Sequence, residues 1–481
     1  MKRVFSSPQL GRLLTMKMAL IGGGGVRTVF FCQSLAKYAE KAGIEELRLM
    51  DTDEEKLQIF GNIARYAVRK TSSLNIILTD SIEEAVADAD YVVTAIRVGG
   101  DEGRVRDERT ALDLGVIGQE TTGAGGFSYA VRTIPVMKEY MRIIKEKSNY
   151  ATVFNFTNPA GLVTQALYDA GYDNVIGICD NAAGVKIELA KSLHVNAGDL
   201  FIRLYGLNHL TWADQIKLYG TDIFEDLMKN EDFIQHYHDF LYYDRDLIRH
   251  LNALPNGYLY YYYHRERALH NILNAPMTRG ETILRLNREM LERLRMVNVV
   301  KNPEKAYQVY EEAMNARNQA YMSVELGGKS VKKVPLNLEK LGIKGIHPGL
   351  EEVEVLEGYA GVALNYIEAQ KNNHPIDLAV NVPNKGAIDF MKDDDIVEIT
   401  CQVDAGGARP VKIMDVPEAN RIMMQQVKLY ERRTVQAVQE KSLELAYMAL
   451  MEHPLVGSYS LAKQLVKAYQ KVHKEYLGDW K

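Results

Sequence analysis

The sequence predicts an α/β fold: a doubly wound parallel sheet followed by a helix-rich α+β C-terminal lobe. Short apolar runs alternate with helical periods from residue 17 to about 210, the pattern of strands joined by crossover helices. A glycine run, Gly22-Gly23-Gly24-Gly25, stands between the first strand and the first helix. Beyond residue 210 the alternation gives way to long helical segments charged on one face.

The elements follow in order. Lys17 to Ile21 reads as a strand, Thr28 to Ala42 as a helix, Glu46 to Met50 as a strand ending at Asp51, and Glu54 to Lys70 as a helix. Asn75 to Thr79 is a strand, Ile82 to Ala87 a short helix, and Tyr91 to Ile96 a strand of fully buried type. Val98 to Gly126 reads as a polar, glycine-rich segment, and Phe127 to Ser148 as a helix. Ala151 to Phe156, the helix Pro159 to Ala170, and the strand Val175 to Cys179 complete this half. In the second half, Asp222 to Leu251, Thr282 to Val300, Pro303 to Leu326, Val353 to Lys371, Pro417 to Leu450 and Ser460 to Tyr476 read as helical, while Asp377 to Val382 and Asp395 to Val403 read as strands. The predicted division is an extension over residues 1–16, a dinucleotide-binding domain over 17–210, and a substrate and oligomerisation lobe over 211–481.

Composition narrows the function classes. A net charge of -5 with no long block of like charge argues against a nucleic-acid surface. Apolar runs such as Met18 to Ile21 are strand-sized, too short to span a membrane. The basic N-terminus leads straight into Gly22-Gly23-Gly24, so signal-peptide cleavage would destroy the best motif in the chain. Three cysteines, Cys32, Cys179 and Cys401, do not make a disulfide framework, and a reducing cytoplasm is the expected location.

Five motifs carry chemistry. Glycines between strand and helix let backbone N–H groups approach a pyrophosphate at a helix N-terminus, here at Gly22, Gly24 and Gly25. Asp51, ending the next strand, is placed to accept the ribose hydroxyls of NAD and to repel a 2′-phosphate. The third fingerprint position holds Arg27 instead of glycine. Arg97, at the exit of the fourth strand, suits a bidentate grip on an anion, while the arginines from Arg104 to Arg109 read as a solvated face. Asn155 and Asn158 precede a proline-started helix, where hydroxyl binding and plain helix capping by Asn158 both fit. Cys179 and His209 are too few ligands for a structural zinc site but suit an open metal site, against the plainer reading of a buried cysteine and a capped histidine. In Tyr258-Leu259-Tyr260-Tyr261-Tyr262-Tyr263 most rings read as an aromatic helix face, and one tyrosinate suits a base.

Taken together these pieces resemble glycoside hydrolase family 4 from Met18 to about Tyr476. The most specific stretches are Arg97 to Gly100, Gly115 to Gly126, Arg132-Thr133-Ile134-Pro135, Asn155 to Gly161 and Gly206 to Leu210, joined by Asn384 to Ile388 and His453 to Val456. The resemblance implies a Rossmann-like fold akin to lactate and malate dehydrogenases, with NAD and a divalent metal, usually manganese, as cofactors. It implies hydride transfer from sugar C3, loss of the C2 proton to a base, elimination of the C1 substituent, addition of water and return of the hydride. By the same resemblance Cys179 and His209 are the metal ligands, Tyr258 is the base among five neighbouring tyrosines, Arg97 and Arg279 contact a sugar 6-phosphate, and Asn155 and Asn158 contact hydroxyls. Asp180, directly after the metal cysteine, resembles the general acid of the 6-phospho-α-glucosidases; asparagine there resembles the β-type enzymes. Asn181-Ala182-Ala183 departs from the family's usual Met-Pro or Val-Pro, the turn after Gly22 lacks its usual Ser-Thr-Tyr, and the region from Gly386 to Pro410 reads more like the β-type. The expected substrate is a phosphorylated disaccharide of the maltose-6-phosphate type, and the expected assembly a homodimer or homotetramer.

Two rivals share parts of this pattern. A hydroxy-acid dehydrogenase would keep the fold and NAD, need no thiolate ligand and release NADH each turnover. A non-catalytic NAD- or sugar-phosphate-binding protein would bind without cleaving.

Overall fold

The structure, a computed structural model, describes residues 16–319, 324–327 and 358–481. Six strands form its parallel centre: β1 (Met16–Ile21), β2 (Ile44–Met50), β3 (Asn75–Thr79), β4 (Tyr91–Thr94), β5 (Thr152–Asn155) and β6 (Val175–Gly177). Their spatial order is β6-β5-β4-β1-β2-β3, with every neighbouring pair parallel. The helices α1 (Thr28–Ala42), α2 (Glu54–Val68), α3 (Ile82–Val86), α4 (Gly100–Asp113), α5 (Gly123–Lys147), α6 (Ala160–Asp169) and α7 (Asp180–Leu193) connect or follow these strands. Leu20, Ile21, Val92, Val93, Val153 and Phe154 are buried from both faces, as a sheet covered by helices requires.

The remaining strands do not stay in a separate lobe. β7 (Leu200–Leu207) and β8 (Leu210–Leu218) form a hairpin, extended by β9 (Thr221–Asp222) and β10 (Leu254–Pro255). β11 (Ile376–Pro383), β12 (Ile396–Asp404) and β13 (Gly407–Pro410) join the first sheet beyond β6, all antiparallel, giving nine strands. The predicted boundary at residue 210 therefore cuts a hairpin, and the C-terminal half completes the sheet of the N-terminal half. An alternating apolar pattern identifies β11 and β12 as strands but carries no information about which distant edge they pair with.

Two further expectations change. The polar stretch Val98 to Gly126 contains α4, whose Arg104, Asp107 and Glu108 are buried and paired, so their charges hide the helical period. The segment Pro417 to Leu450 is two helices, Glu418–Glu440 and Leu443–Glu452, divided where Lys441 turns left-handed and Ser442 caps the second. The helix α7 and the β7–β8 hairpin were not separately legible. Of the predicted extension, residues 1–15 lie outside the described residues, as do parts of the helices read over 303–326 and 353–371. Among the described residues no helix is long and apolar enough to cross a membrane.

Candidate active site

The C-terminal ends of the parallel strands open on a cleft of about 1610 Å³, lined by Gly22, Gly24, Gly25, Asp51, Arg97, Asn158, Cys179, Asp180, His209, Tyr258 and Arg279. At one end lies the glycine-rich turn. Gly22 has φ +101°, and a Cβ there would sit 2.5 Å from the Ala95 carbonyl oxygen, so only glycine lets β1 turn so close to β4. A Cβ on Gly24 would meet the Asp51 carboxylate at 2.9 Å. Instead the Gly24 N–H donates to Asp51 Oδ2 (2.9 Å), and the Asp53 N–H donates to Oδ1 (3.0 Å), which fixes the carboxylate at the cleft wall. This bare backbone, the N-terminus of α1 and the acidic strand end fit a dinucleotide.

Midway along the cleft, Cys179 Sγ and His209 Nε2 approach to 3.5 Å. Both side chains are buried; Cys179 is the N-cap residue of α7, and His209 sits in the two-residue turn between β7 and β8. A hydrogen-bond chain sets the imidazole tautomer. Gln119 Oε1 accepts from the Thr121 and Thr122 N–H groups and from Thr121 Oγ1, so the Thr121 hydroxyl proton is spent there. Thr121 Oγ1, 2.9 Å from His209 Nδ1, is then the acceptor of the Nδ1–H. Nε2 keeps its lone pair and faces the thiol. Burial pushes the imidazole down to about 4, so it is neutral at physiological pH, and burial also pushes the Cys179 thiol up. A thiolate and a neutral imidazole at this spacing fit a divalent transition metal; among the described residues no third histidine, cysteine or carboxylate joins them, leaving the coordination open to other oxygens.

Tyr258 stacks on the His209 ring, centroids 3.9 Å apart and planes 4° from parallel. Asn256, buried, accepts the Tyr258 N–H at 2.9 Å and donates to Thr211 Oγ1 and Asn181 Oδ1, which places Tyr258 in the short helical turn Gly257–Leu259. The other four tyrosines are engaged elsewhere. Tyr260 and Tyr261 donate to Glu325, Tyr262 pairs with Thr122 Oγ1 (2.6 Å), and Tyr263 accepts from Trp212 Nε1. Asp180, at the start of α7, forms an ion pair with Arg27.

The two asparagines part company. Asn155 does not line the cleft: it is fully buried, accepting from Thr94 Oγ1 and the Thr157 N–H and donating to Thr164 Oγ1 and the Ala160 carbonyl. Its expected sugar contact is corrected to an internal tie between β4, β5 and α6. Asn158 does line the cleft, and it is not a cap, because α6 begins at Ala160 after Pro159 without any side-chain cap. Among the described residues the buried Asn158 Oδ1 atom has no hydrogen-bond partner, as expected of a group reserved for a ligand.

The far wall is cationic. Arg97, Arg104, Arg279 and Arg317 line it around Glu120, which pairs with Arg97 (3.2 Å) and Arg104 (2.8 Å). Burial opposes ionisation of Glu120, but Arg104, Arg97, Arg279 and Arg317 outweigh it and hold the carboxyl well below the usual range. Arg317 is pushed down to about 10 by burial and by Arg27, Arg104 and Arg97, yet stays protonated at neutral pH. Four guanidiniums converge around Glu120, with Arg104 also paired to Glu108 (3.1 Å), and such a cluster suits an anion. Arg104 corrects the solvated-face reading: it is buried, whereas Arg106 and Arg109 are exposed. Glu120, Thr121, Arg104 and Arg317 were missed as functional residues; the first two lie in a stretch already marked as specific, while nothing local distinguishes Arg317 from its helical neighbours.

With this geometry in place, comparison with known proteins adds the following. The model described as family 4 glycosyl hydrolase matches residues 17–195, and that of the family 4 glycosyl hydrolase C-terminal domain matches residues 204–456. The chain is similar to a probable 6-phospho-beta-glucosidase of Bacillus subtilis, with 32% identity over 97% of this chain and 98% of the relative. It is similar to a maltose-6′-phosphate glucosidase of Clostridium acetobutylicum, with 26% identity over 95% of this chain and 98% of the relative. Its structure resembles that of the 6-phospho-beta glucosidase from Thermotoga maritima solved with manganese, NAD+ and glucose-6-phosphate. The TM-score is 0.77 and the identity 28%, covering 96% of this chain and 99% of the other.

Proposed function

Because this chain belongs to family 4 of the glycosyl hydrolases, we propose that it cleaves 6-phosphoglucosides with NAD and a divalent cation such as manganese. The observation that carries this reading is the approach of Cys179 Sγ and His209 Nε2 to 3.5 Å in the same cleft as the glycine-rich turn. A hydroxy-acid dehydrogenase has no use for that thiol–imidazole pair.

The glycine-rich turn and Asp51 hold the dinucleotide, and Cys179 and His209 hold the cation. Bound there, the two would supply reversible hydride transfer and a Lewis acid for oxygen charge developing on the sugar. The chain's own groups do the rest. Arg97 and Arg279, joined by Arg317, bind the 6-phosphate and fix the sugar's orientation. Asn158 offers its unsatisfied Oδ1 to a hydroxyl. Tyr258, held by Asn256 and stacked on His209, takes the proton from C2 and returns it there when water adds at C1. Asp180 gives a proton to the departing glycosidic oxygen at C1, and later takes one from the water that adds there.

Asp180 directs the anomeric reading toward α-linked substrates of the maltose-6-phosphate type. The second reading, a 6-phospho-β-glucosidase, is favoured by the 32% identity to a β-type relative against 26% to an α-type one. Release of p-nitrophenol from the α- and β-glucoside 6-phosphates, with manganese, NAD and a thiol and then with each omitted, separates them. Cleavage of the α compound alone supports the first reading and of the β compound alone the second. Cleavage that persists without metal and NAD overturns the mechanism.

A further inference from the structure

One buried carboxylate beside the Cys179–His209 pair has no part in the chemistry above. Glu398, on β12, is fully buried and does not line the cleft; its Oε1 accepts from Asn208 Nδ2 (2.9 Å) and Asn381 Nδ2 (2.8 Å), and the His209 backbone N–H also favours its charged form. Burying a carboxylate costs several kcal/mol of hydration, so one held this way needs a local purpose.

The partners of Glu398 supply one. Asn208 and His209 are the two residues that link β7 to β8, whose last pair is Leu207 with Leu210. His209 has φ +63°, a left-handed conformation sparsely populated by residues other than glycine, so the turn needs support from outside itself. The approach is close: a Cβ on Gly206 would sit 2.1 Å from the Leu210 carbonyl oxygen. Asn381 lies opposite Glu398 across β11 and β12, and it also pairs with Gly177 of β6, two residues before Cys179. Oε1 accepts from both amides, so both point their N–H groups at it, which fixes the rotamers of both asparagines.

We propose that Glu398 is a positioning residue for the metal pair, clamping the Asn208–His209 turn against the strand that leads into Cys179 and so setting the separation of Sγ and Nε2. The inference rests on the reading of Cys179 and His209 as metal ligands. It assigns the antiparallel extension of the sheet a role in assembling a centre whose ligands both come from elsewhere in the chain.

The test is titration of the metal-free full-length protein with manganese, read by electron paramagnetic resonance, with NAD affinity measured by calorimetry in parallel. Glu398→Ala and Asn208→Ala lower manganese affinity by about 10- to 100-fold while NAD affinity stays at the parent value. Glu398→Gln, which keeps an acceptor oxygen for the amides, stays within about threefold of the parent. The Asn208 variant removes only the link at a part-exposed turn, so the test stands even where the core variant fails to fold. Unchanged manganese affinity in Asn208→Ala overturns the proposal, and so does a matching fall in NAD affinity, which marks general damage. His209→Ala separates the underlying reading: if it binds manganese as the parent does, the ligand assignment falls and the proposal with it.

Discussion

The Arg27 guanidinium lies 2.9 Å from the Asp180 carboxylate, joining the glycine-rich turn to the residue after Cys179. The pair is half-exposed, so its own strength is small, about 0–1 kcal/mol. Its consequence is a separation of effects. Asp180→Asn lowers kcat by about 10²- to 10⁴-fold on a disaccharide phosphate, whose leaving oxygen needs a proton, and far less on a p-nitrophenyl glycoside. Arg27→Gln leaves kcat near the parent value and weakens NAD by no more than about fivefold. Steady-state kinetics on both substrates checks this; a kcat loss in Arg27→Gln equal to that in Asp180→Asn would show that the acid depends on its ion pair.

Thr121→Val keeps the side chain's shape and removes the acceptor for the His209 Nδ1–H. The imidazole is then free to carry its proton on Nε2, and manganese affinity falls by about 10- to 100-fold. Metal titration of the apo protein reads the change, and an unaltered affinity refutes the tautomer lock.

Tyr258→Phe lowers kcat by about 10²- to 10⁴-fold, whereas Tyr262→Phe, whose hydroxyl faces Thr122, leaves kcat within about threefold. Loss of proton exchange at C2 in the Tyr258 variant, followed in deuterated water, distinguishes a lost base from a misplaced sugar. Exchange at the parent rate would remove Tyr258 from that role.

Arg317→Met raises KM for the 6-phosphorylated substrate by about 10- to 100-fold, the worth of one charge-assisted contact. Inhibition by the corresponding unphosphorylated sugar should not change. Equal weakening of both would place Arg317 outside phosphate recognition.

Asp107 lies in a buried cluster with Arg132 (2.7 Å) and His473 (2.7 Å) that ties α4 and α5 to the C-terminal helices. Burial opposes its ionisation, but the His473 and Arg132 hydrogen bonds win and hold its carboxyl below the usual range. A depressed carboxylate stabilises the fold fully above its unfolded value of about 3.9, and that contribution is lost as pH falls from there through the lower folded value. Asp107→Asn leaves the buried Arg132 charge uncompensated and costs about 3–5 kcal/mol at neutral pH. Urea unfolding at neutral pH and through the acid range checks both. A cost under about 1 kcal/mol at neutral pH would mean the cluster relaxes by admitting water.

What the sequence disclosed was local. The glycine turn, Asp51 and the strand–helix alternation are set by neighbours in the chain, and all lie where the pattern puts them. Arg104 and Arg106 illustrate the limit: two residues apart on one helix, one is buried against Glu120 and the other exposed, because partners remote in sequence decide which. Asn155 and Asn158 share one motif, yet a single strand end turns one inward and the other to the cleft. Glu398 and Arg317 gave no signal, since their meaning lies wholly in contacts across the chain.

The extension of the sheet also has a consequence in time. β6 meets β11 through Gly177 and Asn381, 204 positions apart. During synthesis at about 5–20 residues per second, that flank of the nascent sheet therefore waits about 10–40 s for its covering strand. An uncovered strand flank is a template for pairing with other chains. Slowed translation between these two points should increase aggregation of the newborn protein while leaving the finished enzyme unaffected, and pelleting of nascent chains under both regimes would measure it.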